Sequence, residues 1–123
     1  MSDQPLRLGS LEQQVMDVLW DNGASSVREI IDALPAANAY TTIATVLRNL
    51  ERKKLVSAQR RRRSVHYSAR TSRDEHAANL MNQALSSSKD RAASILHFVD
   101  TISDDDADLL RRYLERPHAE GQP

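Results

Sequence analysis

Apolar residues recur along this chain mostly at helical spacing. Leu11, Val15, Val18 and Leu19 share one face, and Asp21-Asn22-Gly23 supplies a stop. Ser10, with Gln13 three residues on, is the expected N-cap of this first helix. Ser26 and Glu29 open a second helix in the same way; Val27, Ile30, Ile31 and Leu34 form its stripe and Pro35 closes it. A third helix is predicted from Tyr40 to Lys53, with Ile43, Val46, Leu47 and Leu50 inward. The period then changes to two. Residues 55–59 and 64–68 read as short strands of a β-hairpin, and Arg60, Arg61, Arg62 and Arg63 lie at its tip. That tip has neither Gly nor Asn, so no turn type is assigned.

Helical spacing returns after Ser72, whose partner Glu75 completes a third capping signature. Three short amphipathic helices follow. Their stripes are Ala77, Leu80, Met81, Ala84 and Leu85, then Ala92, Ile95, Leu96, Val99 and Ile102, then Leu110, Tyr113 and Leu114. Ser103 caps the last, with Asp104, Asp105 and Asp106 in its first turn, where the helix dipole favours acids. Residues 1–9 read as a flexible arm and 118–123 as a frayed tail.

Composition removes several function classes. The 123 residues contain no Cys, which excludes disulfides, thiolate metal sites and thiol catalysis. His66, His76, His97 and His118 are scattered without metal-ligand spacing. The aspartates at 104–106 and 108 lack the Gly and terminal Glu of a calcium loop. No nucleophile-base set or phosphate-binding Gly loop is present, so neither an enzyme nor a cofactor is expected. Trp20 is expected in the core between the first helix and the hairpin. No apolar run spans a bilayer and the N-terminus has no signal-peptide core, so a cytoplasmic protein is expected.

Charge then changes the picture. Lys plus Arg number 17 and Asp plus Glu 17, for a net of +0, which by itself argues against a nucleic-acid partner. The distribution argues the reverse. Residues 1–73 carry 12 basic against 7 acidic side chains, and residues 74–123 carry 5 against 10. From Arg48 to Arg63 there are 8 cations and one acid, Glu51. Such a stretch is a phosphate-binding surface.

Three helices followed by a β-hairpin form a winged helix-turn-helix, so the expected fold is mainly α: a winged unit over 1–72, then a helical dimerisation lobe over 73–117. The third helix would enter the major groove. Thr41, Thr42 and Thr45 are short donor-acceptors with a methyl for thymine; Arg48 reaches a guanine edge or a phosphate. Arg52, Lys53 and Lys54 lie nearer the backbone, and the arginine tip meets phosphates or the minor groove. About 45 residues in three amphipathic helices bury too little alone, so association through Leu80, Met81, Leu85, Ile95, Leu96, Val99, Leu110, Tyr113 and Leu114 is expected. Two other readings stay open: a small-molecule-responsive winged-helix regulator, and a helical adaptor whose basic hairpin binds an acidic protein.

The segments LGSLEQQVMDVLW (8–20), VREIIDAL (27–34), YTTIATVLRNLERKKLV (40–56) and HYSA (66–69) carry a family resemblance. The chain resembles the penicillinase-repressor and methicillin-repressor family (BlaI/MecI type) over about residues 6–117. The resemblance implies a dimeric repressor on inverted-repeat operators with TACA/TGTA-like half-sites. It implies reading by Thr41, Thr42, Thr45 and Arg48, and dimerisation through 73–117. It also implies, for some members, a role in antibiotic resistance. There a membrane sensor and protease respond to β-lactams, and the repressor is cut at a Leu-Asn-Phe-like site. Here that site falls on Leu96, His97 and Phe98, with His in place of Asn. The Cys-rich tail of a metal-sensing branch has no counterpart. Lys54 stands where the family usually ends its third helix with Gly or Asn; a left-handed backbone there costs Lys about 1 kcal/mol.

Overall fold

The structure, a computed structural model, describes residues 6–117. The C-terminal tail, with His118, and the first five residues of the arm lie outside that range. The elements run α1 (Ser10–Asn22), β1 (Ser25–Ser26), α2 (Val27–Ala33), α3 (Tyr40–Arg52), β2 (Val56–Arg61), β3 (Ser64–Ala69), α4 (Arg73–Ser86), α5 (Arg91–Thr101) and α6 (Asp104–Glu115). The chain falls into two compact units, one ending at Gln83 and the other beginning at Ala84, so the division lies inside α4.

The first unit holds the apolar core. Val15, Met16, Val18 and Leu19 of α1 meet Val27 and Ile30 of α2, Leu34, then Ile43, Leu47 and Leu50 of α3, with Leu55 and Val56 at the root of the hairpin. Met16 is fully buried although it lies outside the expected stripe, because α1 packs against α2, α3 and β3 together. A helix enclosed on several sides buries more than one stripe. Leu6 and Leu8 also pack on this core, so the described part of the expected arm is ordered by burial.

Local chemistry fixes the ends of the elements. The cap of α1 is Gly9, one residue before the expected Ser10; its N–H donates to Glu12 Oε1 at 2.9 Å. Ser26 caps α2 reciprocally with Glu29, at 3.1 and 2.9 Å. Ser72 does the same with Glu75 at the start of α4, and Ser103 caps α6 by accepting from the Asp106 N–H. Gly23, at φ 82°, ends α1.

The hairpin is part of a three-stranded antiparallel sheet in the order β1-β3-β2. Ser25 pairs with Tyr67 and Ser26 with His66, which covers the second edge of β3 at those two residues. Arg61 pairs with Ser64, so the turn is only Arg62-Arg63; Arg60 and Arg61 belong to strand β2. Arg62 alone of the two has positive φ, 56°, the sign pattern of a II′ turn.

The end of α3 is a Schellman motif closed without glycine. The Leu55 N–H donates to Leu50 O and the Lys54 N–H to Glu51 O, both at 2.9 Å. Leu50 and Leu55, the apolar pair of that motif, are both buried. Lys54 occupies the left-handed position at φ 67°. Replacing Lys54 by Gly is expected to stabilise the fold by about 0.5–1 kcal/mol, read as a higher denaturation midpoint in urea. An unchanged or lower midpoint would show that the lysine carries no strain there.

Trp20 packs against the core at its edge, as expected by type, and it also has partners beyond the hairpin. Its indole donates to Thr71 O at 2.9 Å, and its ring packs on His76 with centroids 5.5 Å apart. The Arg73 guanidinium lies 5.1 Å over the same ring and reaches Asp17 and Asp21 at 3.3 and 3.2 Å. Trp20 therefore docks the first turn of α4 on α1. His76 is buried, and neither ring nitrogen makes a well-formed hydrogen bond. Burial pushes its pKa below the ordinary 6.5, and the nearby Leu6 backbone opposes this only in part. The unfolded chain therefore binds this proton more readily. The neutral ring's contribution is complete above about pH 6.5 and declines as pH falls below it. The urea midpoint should drop between pH 7.5 and 5.5, and His76→Phe should flatten that drop. An equally steep profile in the variant would assign the drop to other groups.

Candidate nucleic-acid interface

The amphipathic character of α3 divides it into two faces. Ile43, Leu47 and Leu50 are fully buried and fix the helix in the core. Thr41, Thr42, Thr45, Arg48 and Arg52 are exposed on the other side. Three short hydroxyls and an arginine on one exposed face present donors and acceptors without apolar bulk, as a groove-reading helix requires.

The cations differ in how far they are committed within the protein. Arg52 Nη1 donates to Asn49 Oδ1 at 2.9 Å, which steadies the side chain and leaves its charge uncompensated. Lys53 is engaged differently: Nζ lies 3.0 Å from both carboxylate oxygens of Glu12. On the wing, Arg60, Arg61, Arg62 and Arg63 are all exposed. Among the described residues no ion pair involves Arg48, Arg52, Lys54 or these four arginines. The wing and the exposed face of α3 thus carry a run of free positive charge within one unit.

Some neighbours of this face were not evident from spacing. The Arg28 guanidinium of α2 lies 6.0 Å over the ring of Tyr40, the first residue of α3, and that ring is half exposed. Tyr67 of β3 has its phenol pKa raised by burial, then by Glu51 and Tyr40, while Arg48 opposes the shift. The central strand of the sheet therefore sits within electrostatic reach of α3. Neither neighbour shows in periodicity, because both join residues far apart in sequence.

The other sequence-predicted residues lie in or near the second unit. Leu80 and Leu85 of α4 are half-buried and Met81 is exposed. Neither α5 nor α6 has a single buried residue. Ile95, Leu96, Phe98, Val99, Leu110, Tyr113 and Leu114 are large, apolar and exposed, and Leu114 reaches 73 %. Isolated exposed apolar residues are ordinary, but two helices carrying an exposed apolar series are not. Leu96, His97 and Phe98 are exposed within α5. Among the described residues no group of acids and histidines could hold a metal ion, and no helix is long and apolar enough to cross a membrane.

Comparison with known proteins places these features. The sequence model of the penicillinase repressor family matches residues 8–116. The transcriptional regulator BlaI of Mycobacterium tuberculosis, from strains CDC 1551 / Oshkosh and H37Rv, is 44 % identical over 114 residues. That match covers 88 % of this chain and 83 % of the relative. Among solved structures, the complex of hsRosR-S4 superposes with a TM-score of 0.53 at 20 % identity, covering 86 % of this chain and 96 % of that one. A MarR family protein from Bacillus stearothermophilus gives 0.48 at 16 % identity, covering 87 % and 70 %.

Proposed function

The chain belongs to the penicillinase repressor family, and from that premise we propose that it is a homodimeric repressor of a specific inverted-repeat operator. It is a transcriptional regulator with a winged-helix DNA-binding fold. The observation that carries the finer reading is the exposed face of α3, where Thr41, Thr42, Thr45 and Arg48 stand over a fully buried Ile43, Leu47 and Leu50. The threonines and Arg48 read base edges. Arg52 and the wing arginines hold the backbone and set the register. A second copy covers the apolar faces of α5 and α6. Two reading helices related by a twofold axis then meet two TACA/TGTA-like half-sites.

Induction by a regulatory protease, as the family resemblance implies, would act at Leu96-His97-Phe98. These residues lie inside α5, so cleavage needs the helix to open first. Exposure of the segment supports access; the helix supplies the barrier.

Equilibrium titration of an inverted TACA/TGTA repeat against a shuffled duplex, at one stated salt concentration, tests the reading. At least a tenfold preference for the repeat is expected. Thr45→Ala or Arg48→Ala should lower that preference, by about 1–3 kcal/mol for a lost bidentate Arg contact, and leave binding to the shuffled duplex closer to its starting value. Equal binding of both duplexes by the wild-type protein would sink sequence-specific recognition.

A further inference from the structure

Lys53 belongs by sequence to the basic run, yet its charge is spent inside the protein. Its Nζ lies 3.0 Å from both Glu12 oxygens, with side-chain exposures of 24 % for Lys53 and 15 % for Glu12. Glu12 has a second task at the same time, since Oε1 accepts the Gly9 N–H that closes the start of α1. One carboxylate therefore joins the first turn of α1 to the C-cap of α3. The electrostatics agree at both ends: the acid sits at the positive end of α1 and the cation at the negative end of α3. Lys53 is followed at once by the left-handed Lys54 and then by the hairpin root at Leu55 and Val56. The pair thus holds the point at which the chain leaves α3 and enters the wing.

We propose that Glu12 is a positioning residue for DNA recognition, and that Lys53 acts through Glu12 instead of contacting phosphate. The inference rests on the DNA-binding reading above. The pair fixes α3 and the root of the wing against α1, so that both can meet the duplex together. Removing one partner leaves a partly buried charge without its counterion, and the end of α3 moves to rehydrate it.

The proposal reverses the sign of an ordinary electrostatic expectation. Removing an acid from a DNA-binding surface normally tightens binding, and freeing a lysine would add a phosphate contact. Glu12→Gln retains an oxygen for the Gly9 N–H and breaks only the ion pair. It is expected to weaken binding to the inverted repeat about fivefold and to reduce the preference for the repeat over the shuffled duplex. Lys53→Met should cause a similar loss with an unchanged slope of log affinity against log salt. The double variant should bind no worse than either single one. Circular dichroism and the urea midpoint of each variant confirm that folded protein is being compared.

Equal or tighter binding by Glu12→Gln would overturn the proposal. So would a slope that falls by about 0.9 in Lys53→Met, the value of one lost phosphate contact. A wild-type protein that binds neither duplex would instead reject the DNA-binding reading itself, so the two failures are distinguishable.

Discussion

Replacing Leu96 and Leu114 together by Asp is expected to break the proposed dimer into monomers and to lower affinity for the inverted repeat by about a hundredfold or more. Both side chains are largely exposed, on α5 and α6, and neither helix buries a residue within the single chain. Burying a leucine is worth about 1.5–3 kcal/mol, so the apolar series from Ile95 to Leu114 can support a stable interface against the cost of association. An Asp at each position turns that gain into a desolvation penalty. The effect on DNA follows from linkage. A dimer binds its second half-site at an effective concentration set by its own geometry, which multiplies affinity by about 10²–10⁴. The monomer loses that factor and should bind a single half-site as well as before. Light scattering after gel filtration and titration of both duplexes provide the measurement. A double variant that stays dimeric would place the interface elsewhere, and a wild-type protein that is monomeric at micromolar concentration would reject the dimer itself.

The sequence reveals elements wherever a pattern is local. The Ser26-Glu29 and Ser72-Glu75 boxes lie exactly three residues apart and form as spaced. The inward face of α3 follows from Ile43, Leu47 and Leu50, and its exposed face from Thr41, Thr42 and Thr45. Features that depend on distant partners were not visible. β1 is two residues long, too short for any alternation to register, and is defined only by its pairing with Tyr67 and His66 of β3, some forty residues on. Trp20 reads as core by type, but its place beside Thr71 and His76 depends on where α4 begins. Lys53 and Arg52 are adjacent in a basic run, and only the fold brings Glu12 to one of them. The zero net charge shows the same limit, because a total hides how charge divides between a basic wing and acidic later helices.

Substituting Ala at Arg60, Arg61, Arg62 and Arg63 together is expected to weaken binding to every duplex by about a hundredfold at low salt. Base preference should remain, because in the proposed mode Thr41, Thr42, Thr45 and Arg48 of α3, and not these side chains, read the bases. Each phosphate contact contributes about 0.9 to the salt slope. Four contacts are unattainable at once: Arg60 and Arg61 are neighbours on β2, and their side chains point to opposite faces of the hairpin. The slope should therefore fall by about 2–3. A changed base preference with an intact slope would reverse the roles assigned to the wing and α3. Arg62 separates charge from backbone strain. Its φ of 56° is a conformation in which an L side chain costs about 1 kcal/mol, and glycine would adopt it freely. Arg62→Gly should thus raise the denaturation midpoint while weakening DNA binding. That opposition of sign is what a strained residue kept for its charge must show; a variant weaker in both respects would mean that the arginine side chain supports the turn itself.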